Sequence, residues 1–193
     1  MIHEQNAVAG LTNRWLARVA SRIAEGFPGS FPASRKALYV GNPVRPEIAE
    51  LPPPRQRFGI PEWTDEALRL RRQPGRDARS TGSCRPRSRS CRKRRRPWVL
   101  HQTGAKDRDA TEAAYRAAGI QAEVRPFIDD MAAAYASADL VVSRAGASTV
   151  AELAAAGVGS ILVPFPAAVD DHQTKNAEWL GRVSAAQVVS ETG

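Results

Sequence analysis

Between Leu140 and Leu153 the chain runs Leu-Val-Val-Ser-Arg-Ala-Gly-Ala-Ser-Thr-Val-Ala-Glu-Leu, an apolar stretch that breaks at small residues and resumes as an Ala-rich helical pattern. It reads as strand, tight turn, helix. The turn also has a chemistry of its own. Small residues let a ligand approach the backbone, and the first helical turn offers unpaired N–H groups at the positive end of the dipole. A phosphate suits such a place. Glu152, in the second turn, is placed to accept hydrogen bonds from sugar hydroxyls. The competing reading is an ordinary strand-to-helix turn of any α/β protein.

The same alternation extends along the second half of the chain. Trp98–Gln102 reads as a strand, Asp107–Gly119 as a helix stopped by Gly119, and Glu123–Phe127 as a strand. Met131–Ser137 follows as a short helix, Leu140–Val142 as a strand, and Ala147–Ala156 as a helix ending at Gly157. Ser160–Phe165 is a strand, His172–Arg182 a helix and Ala185–Val189 a last strand. Short connections between alternating elements predict an α/β fold, a parallel sheet with helices on both faces. Ligands of such sheets bind beyond the carboxyl ends of the strands, which places the segments after Phe127, Val142 and Phe165 at the site. Earlier in the chain, Leu11, Trp15, Leu16, Val19 and Ile23 give residues 11–25 an amphipathic helical pattern, and Ala37–Gly41 reads as a strand. Pro46 and the triplet Pro52-Pro53-Pro54 form a stiff connector at a domain boundary.

The 193 residues carry a net charge of +8, which suggests a polyanion partner until the charge is located. Residues 69–96 hold 13 Lys and Arg against the single acid Asp77, while the rest of the chain has 15 basic and 19 acidic residues. Outside one window the chain is mildly acidic. Two cysteines, Cys84 and Cys91, cannot make a disulfide framework and suit a reduced, cytosolic setting. No apolar run is long enough for a transmembrane helix, and the first residues lack the basic and apolar regions of a secretion signal. His3, His101 and His172 do not form a metal set by spacing.

Five stretches, in this order, resemble the MurG family of bacterial glycosyltransferases. They are His3-Glu4-Gln5-Asn6 with Gly10-Leu11-Thr12-Asn13; Gly41-Asn42-Pro43-Val44-Arg45; Phe127-Ile128-Asp129-Asp130-Met131; Arg144-Ala145-Gly146 through Glu152; and Val163-Pro164-Phe165 with Asp171-His172-Gln173 and Asn176-Ala177. The resemblance covers residues 1–62 and 97–193. It implies the GT-B architecture, two Rossmann-like domains facing a cleft, with residues 1–45 ending the acceptor domain and 46–62 leading into the donor domain. Residues 97–193 are then the UDP-sugar-binding donor domain, incomplete at its end.

The implied reaction moves N-acetylglucosamine from UDP-N-acetylglucosamine to lipid I, the undecaprenyl-pyrophosphoryl-muramoyl pentapeptide. Lipid II forms with inversion at the anomeric carbon. No cofactor and no metal are implied, and the enzyme would sit peripherally on the cytoplasmic face of the bacterial inner membrane, with no nucleic-acid partner. Residue by residue, the resemblance puts Asn6 near the donor sugar, Arg45 on the diphosphate and the backbone of Ile128 on the uracil edge. Ala147, Ser148, Thr149, Val150, Ala151 and Glu152 are the helix start beneath diphosphate and ribose, with Glu152 on the ribose hydroxyls. Gln173, with His172 beside it, contacts the sugar. The plainer alternatives are a turn asparagine at Asn6, a surface arginine at Arg45, a buried strand end at Ile128 and a solvated helix face at His172 and Gln173. The catalytic residues are expected in an amino-terminal glycine-rich loop that the sequence lacks, so this chain is expected not to turn over substrate.

Between Pro61 and Trp98 the family pattern calls for an apolar strand, a Gly-Gly-Ser-x-Gly-Ala phosphate loop and a helix. The chain has Arg-rich text over 63–96 instead, which cannot form a buried strand. A frameshift would account for it. Arg71–Arg76 can be encoded CGG CGG CAG CCT GGG CGC, and with the G of Asp77 after it that text would read Gly-Gly-Ser-Leu-Gly-Ala one nucleotide later. Two compensating indels, near residues 63–70 and near Arg96, are the expectation. Two rivals stand beside this reading: an anionic-polymer-binding fragment using Arg85–Arg96 on nucleic acid or anionic lipid, and a GT-B enzyme using another UDP-sugar. The first lacks aromatic residues among its basic ones, and the His3–Asn6 motif argues against the second. A sheet without its central strand exposes neighbouring edges, so aggregation or a partly molten domain is expected.

Overall fold

The computed structural model describes residues 1–59, 97–166 and 171–191. The Arg-rich window, its proposed phosphate loop and the run Arg85–Arg96 lie outside the described residues. The chain divides into two compact units, Met1–Ile60 with Asp130–Gly193, and Pro61–Asp129.

The first unit opens with three parallel strands, β1 (Ile2–Glu4), β2 (Ile23–Glu25) and β3 (Leu38–Tyr39), in the order β1-β2-β3. Ile2 faces Ile23 and Glu4 faces Glu25 in register. Helix α1 (Leu11–Leu16) connects the first two. The amphipathic pattern over 11–25 is therefore divided, with helix only to Leu16 and strand from Ile23. Tertiary pairing overrides the local period, because Ile23 and Ala24 bury in the sheet while Leu11, Trp15 and Val19 stand 59%, 64% and 83% exposed. The guanidinium of Arg18 lies 4.0 Å from the centre of the Trp15 ring.

Two buried carboxylates at the ends of β1 and β2 organise the loops that follow. Glu4 accepts the Asn6 and Gly10 backbone N–H groups at 2.9 and 3.1 Å and the Asn13 amide at 2.9 Å. Burial alone would raise the Glu4 carboxyl, but these donors outweigh it and hold the group below its ordinary value. Glu25 receives the N–H groups of Gly29 and Phe31 at 3.0 and 3.3 Å.

Two short proline-started helices, α2 (Pro46–Ala49) and α3 (Pro54–Arg57), lead out of this part. The second stretch of the unit carries α5 (Met131–Ser137), β6 (Val141–Ser143), α6 (Ala147–Ala156), β7 (Ser160–Leu162), α7 (His172–Arg182) and β8 (Ala186–Val188). Its strands form a second parallel sheet, β6-β7-β8. The three helices begin and end where the sequence predicts, and local start and stop chemistry is visible at two of them. Asp130 accepts the Ala133 N–H at 2.8 Å as the N-cap of α5. Gly157 ends α6 in the left-handed conformation at φ 62°, where a Cβ would stand 2.9 Å from Cγ of Pro54.

One core joins both stretches. Phe27 and Ile48 are buried with Tyr135, Val150, Leu153, Leu162, Ala177 and Leu180. The Phe27 and Trp179 rings meet edge to face at 5.5 Å. Arg57 completes the join, donating to the carbonyls of Tyr135 at 3.0 Å and of Ala156, the last residue of α6.

In the second unit β4 (Trp98–Gln102) pairs in parallel with β5 (Gln121–Arg125), Trp98 facing Gln121. Helix α4 (Arg108–Ala117) crosses between them. His101 and Tyr115 hydrogen-bond at 3.0 Å. The strand expected over Glu123–Phe127 starts two residues earlier, since its ends are set by partner β4. Among the described residues the alternation thus yields three sheets, each of parallel strands.

Candidate functional site

Helix α6 starts at Ala147, directly after β6, with the extended Gly146 as N-cap supplying no side-chain oxygen. The first intrahelical bond runs from the Val150 N–H to the Gly146 carbonyl at 2.9 Å. The N–H groups of Ala147, Ser148 and Thr149 therefore point along the axis without a side-chain cap, at the positive end of a ten-residue helix. Ala147, Val150, Leu153 and Ala156 bury one face of the helix in the core, which turns Ser148 outward and leaves Thr149, Ala151 and Glu152 at partial exposure.

Glu152, with a side chain 14% exposed, is the hub of the site. Arg45, the N-cap residue of α2, donates Nε and Nη2 to its Oε1 at 3.0 and 2.9 Å. The Tyr135 hydroxyl donates to Oε2 at 3.2 Å. Two residues that the sequence pattern assigns to the site, 107 positions apart, are thus in contact, and Tyr135 joins them. No sequence signal singles that tyrosine out. It sits in an Ala-rich helix, where its visible property is apolar bulk.

The loop after β1 is tied to the same corner by Asn176, which is fully buried on α7. Its Oδ1 accepts the Ala7 N–H at 2.8 Å, and its Nδ2 donates to Asn6 Oδ1 and to the Ala145 carbonyl, both at 3.2 Å. Asn6 also donates to Glu4 at 3.2 Å, so both ends of its amide are engaged within the protein. A sugar hydroxyl at Asn6 would use the remaining lone pair or N–H. Gln173 spends its Oε1 on the backbone N–H groups of Ala145 and Phe165, at 3.3 and 2.9 Å, joining the loops that follow β6 and β7. Among the described residues its NH2 group makes no hydrogen bond. His172 is partly exposed at the first position of α7.

Ile128 belongs to the second unit. It is buried after β5, and its backbone N–H donates to Oε1 of Gln102 at 2.9 Å. Among the described residues no three His, Cys, Asp or Glu side chains gather as a metal site, and no helix is long and apolar enough to cross a membrane.

The chain is similar to known proteins. The Glycosyltransferase family 28 C-terminal domain matches residues 84–192, a span that opens inside the Arg-rich window. A Nitrosococcus oceani protein named UDP-N-acetylglucosamine--N-acetylmuramyl-(pentapeptide) pyrophosphoryl-undecaprenol N-acetylglucosamine transferase is 50% identical over 192 residues, covering 99% of this chain and 53% of the relative. A protein of the same name from Xanthomonas euvesicatoria is 52% identical over 191 residues, covering 99% of this chain and 43% of the relative. The crystal structure of Acinetobacter baumannii MurG aligns with a TM-score of 0.72 at 35% identity, over 98% of this chain and 52% of that one. The chain spans about half the length of the curated relatives it matches. Parallel sheets with crossing helices, an uncapped helix start with a pinned carboxylate and these likenesses converge: the chain belongs to glycosyltransferase family 28 and is similar to MurG over about half of that protein's length.

Proposed function

We propose that this chain carries the UDP-N-acetylglucosamine-binding part of an inverting N-acetylglucosaminyltransferase that converts lipid I to lipid II in peptidoglycan synthesis. The observation that carries the reading is the Glu152 carboxylate, held by Arg45 and Tyr135 beside the open start of α6. An anion fits the helix start, a cation stands next to it, and an acceptor for hydroxyls lies one turn further on. A nucleoside diphosphate meets all three in one molecule, its diphosphate at the helix start and the arginine, its ribose at the carboxylate. The backbone of Ile128 would read the uracil edge, and Asn6, His172 and Gln173 would border the sugar. Residues 1–45 then end the acceptor domain, and 97–193 form the donor domain.

In the reaction the 4-hydroxyl oxygen of the muramoyl sugar attacks the anomeric carbon and the bond to the diphosphate oxygen breaks, leaving with its electron pair as UDP. A base takes the hydroxyl proton. The contribution of the residues here is to bind the donor and to stabilise the charge growing on the departing diphosphate. The full-length enzyme would act at the cytoplasmic face of the inner membrane. Calorimetric titration of this chain with UDP-N-acetylglucosamine, UDP and UDP-glucose tests the reading. Saturable binding of UDP-N-acetylglucosamine at micromolar to low millimolar concentration, weaker for UDP-glucose, is expected. Absence of binding for all three would overturn it.

A further inference from the structure

Glu152 stands between two partners of opposite mobility. Arg45 reaches its Oε1 from a side chain 49% exposed, and an ion pair of that exposure contributes little and is easily exchanged. Tyr135 reaches Oε2 as a residue only 3% exposed, whose ring lies in the main core with Ile48 and Leu153. It has two torsions, and the core holds both. A carboxylate with one mobile and one fixed partner keeps its place when the mobile partner is drawn away. The uncapped start of α6, one turn from Glu152, is where an anion would draw Arg45.

We propose that Tyr135 is the positioning residue of the nucleotide site: its hydroxyl holds Oε2 of Glu152 so that Oε1 can accept the ribose diol once Arg45 moves to the diphosphate. The inference rests on the donor-binding reading above. The hydroxyl is suited to the task because it keeps its proton. Burial, the Glu152 charge and the hydrogen bond to it all push the phenol well above its ordinary value, against a smaller opposing effect of Arg45. A hydroxyl that donates to one oxygen leaves the other as the acceptor, so loss of the Tyr135 hydroxyl should weaken recognition of the diol specifically.

The test uses the full chain and two probes, UDP and 2′,3′-dideoxy-UDP, by calorimetry, with thermal midpoints recorded for each protein. The native chain is expected to prefer UDP by about 10-fold or more, the scale of hydrogen bonds to a charged group. Tyr135→Phe keeps the ring and should reduce the preference below about 3-fold while leaving dideoxy-UDP affinity and the thermal midpoint nearly unchanged. Retention of the full preference in Tyr135→Phe, or equal losses for both probes, would overturn the proposal. Should Tyr135→Phe fail to fold, Arg45→Ala decides. It removes the mobile partner and keeps the fixed one, so both probes should weaken while the preference for UDP persists; loss of the preference would assign the positioning to Arg45. A native chain that binds neither probe refutes the donor reading and this inference with it. Binding of both probes without preference refutes the role of the Glu152–Tyr135 pair alone.

Discussion

Asn176 is the side chain on which the first 60 residues and α7 most directly depend, and its removal can be worked through. It is fully buried and makes three hydrogen bonds, to the Ala7 N–H at 2.8 Å and to Asn6 Oδ1 and the Ala145 carbonyl at 3.2 Å. Asn176→Ala leaves the half-buried Ala7 N–H and two carbonyl oxygens short of a partner. At about 1 kcal/mol for each bond, the cost is about 3 kcal/mol, a large share of the roughly 5–15 kcal/mol of a typical domain. With a urea slope of about 2 kcal/mol/M, the midpoint should fall by about 1.5 M. Asn176→Asp sharpens the test. One carboxylate oxygen still serves Ala7, but the other now faces two acceptors. The variant should be less stable than Asn176→Ala near neutral pH. Its buried carboxyl would titrate above the unfolded value of about 3.9, so stability is regained as pH falls through the raised native value. Urea unfolding followed by tryptophan fluorescence, to which Trp179 contributes from its place against Phe27 in the same core, reads both variants. A loss below about 1 kcal/mol for Asn176→Ala, or no pH dependence for Asn176→Asp, would show that Asn176 does not hold the loop.

Leu153 is 1% exposed in the middle of the main core, so Leu153→Ala should cost about 2–5 kcal/mol in the same unfolding assay, whereas Leu11→Ala, at an exposed site, should cost under about 0.5 kcal/mol. The lowered Glu4 carboxyl contributes stability that is complete above its unfolded value and is lost as pH falls through the lower native value. Glu4→Gln should therefore flatten the acid limb of the stability–pH curve, and an unchanged limb would contradict the account. The described edges of β4 and β5 belong to a two-stranded pair, which predicts association through the second unit; monomeric scattering together with one sharp thermal transition would count against it.

Helices and strands differ in how far the sequence reveals them. Helices α5, α6 and α7 are readable to the residue because helix limits depend on residues within a few positions, as with Asp130 as cap, Gly157 as stop and the apolar spacing Ala147, Val150, Leu153, Ala156. The strands are readable in kind and order but not in extent. β5 begins at Gln121 and β7 ends at Leu162 because a strand lasts as long as its neighbour pairs with it. The pattern over 11–25 misleads because an apolar residue at helical spacing looks the same whether it packs under a helix or, like Ile23, enters a sheet.

Sequence alone determined the alternating α/β order, the strand-to-helix turn at Gly146 and most of the residues around it, since each of these depends on neighbours within one or two turns of chain. Only tertiary structure decided that Arg45 meets Glu152, that Tyr135 holds the same carboxylate from the core, and that Asn176 binds the loop at Asn6 and Ala7. Those contacts join residues 107, 17 and about 170 positions apart. A hydrogen bond between distant segments leaves no periodicity in either one. It exists only when the core of Phe27, Ile48, Leu153 and Leu180 has closed and brought both partners to the same place.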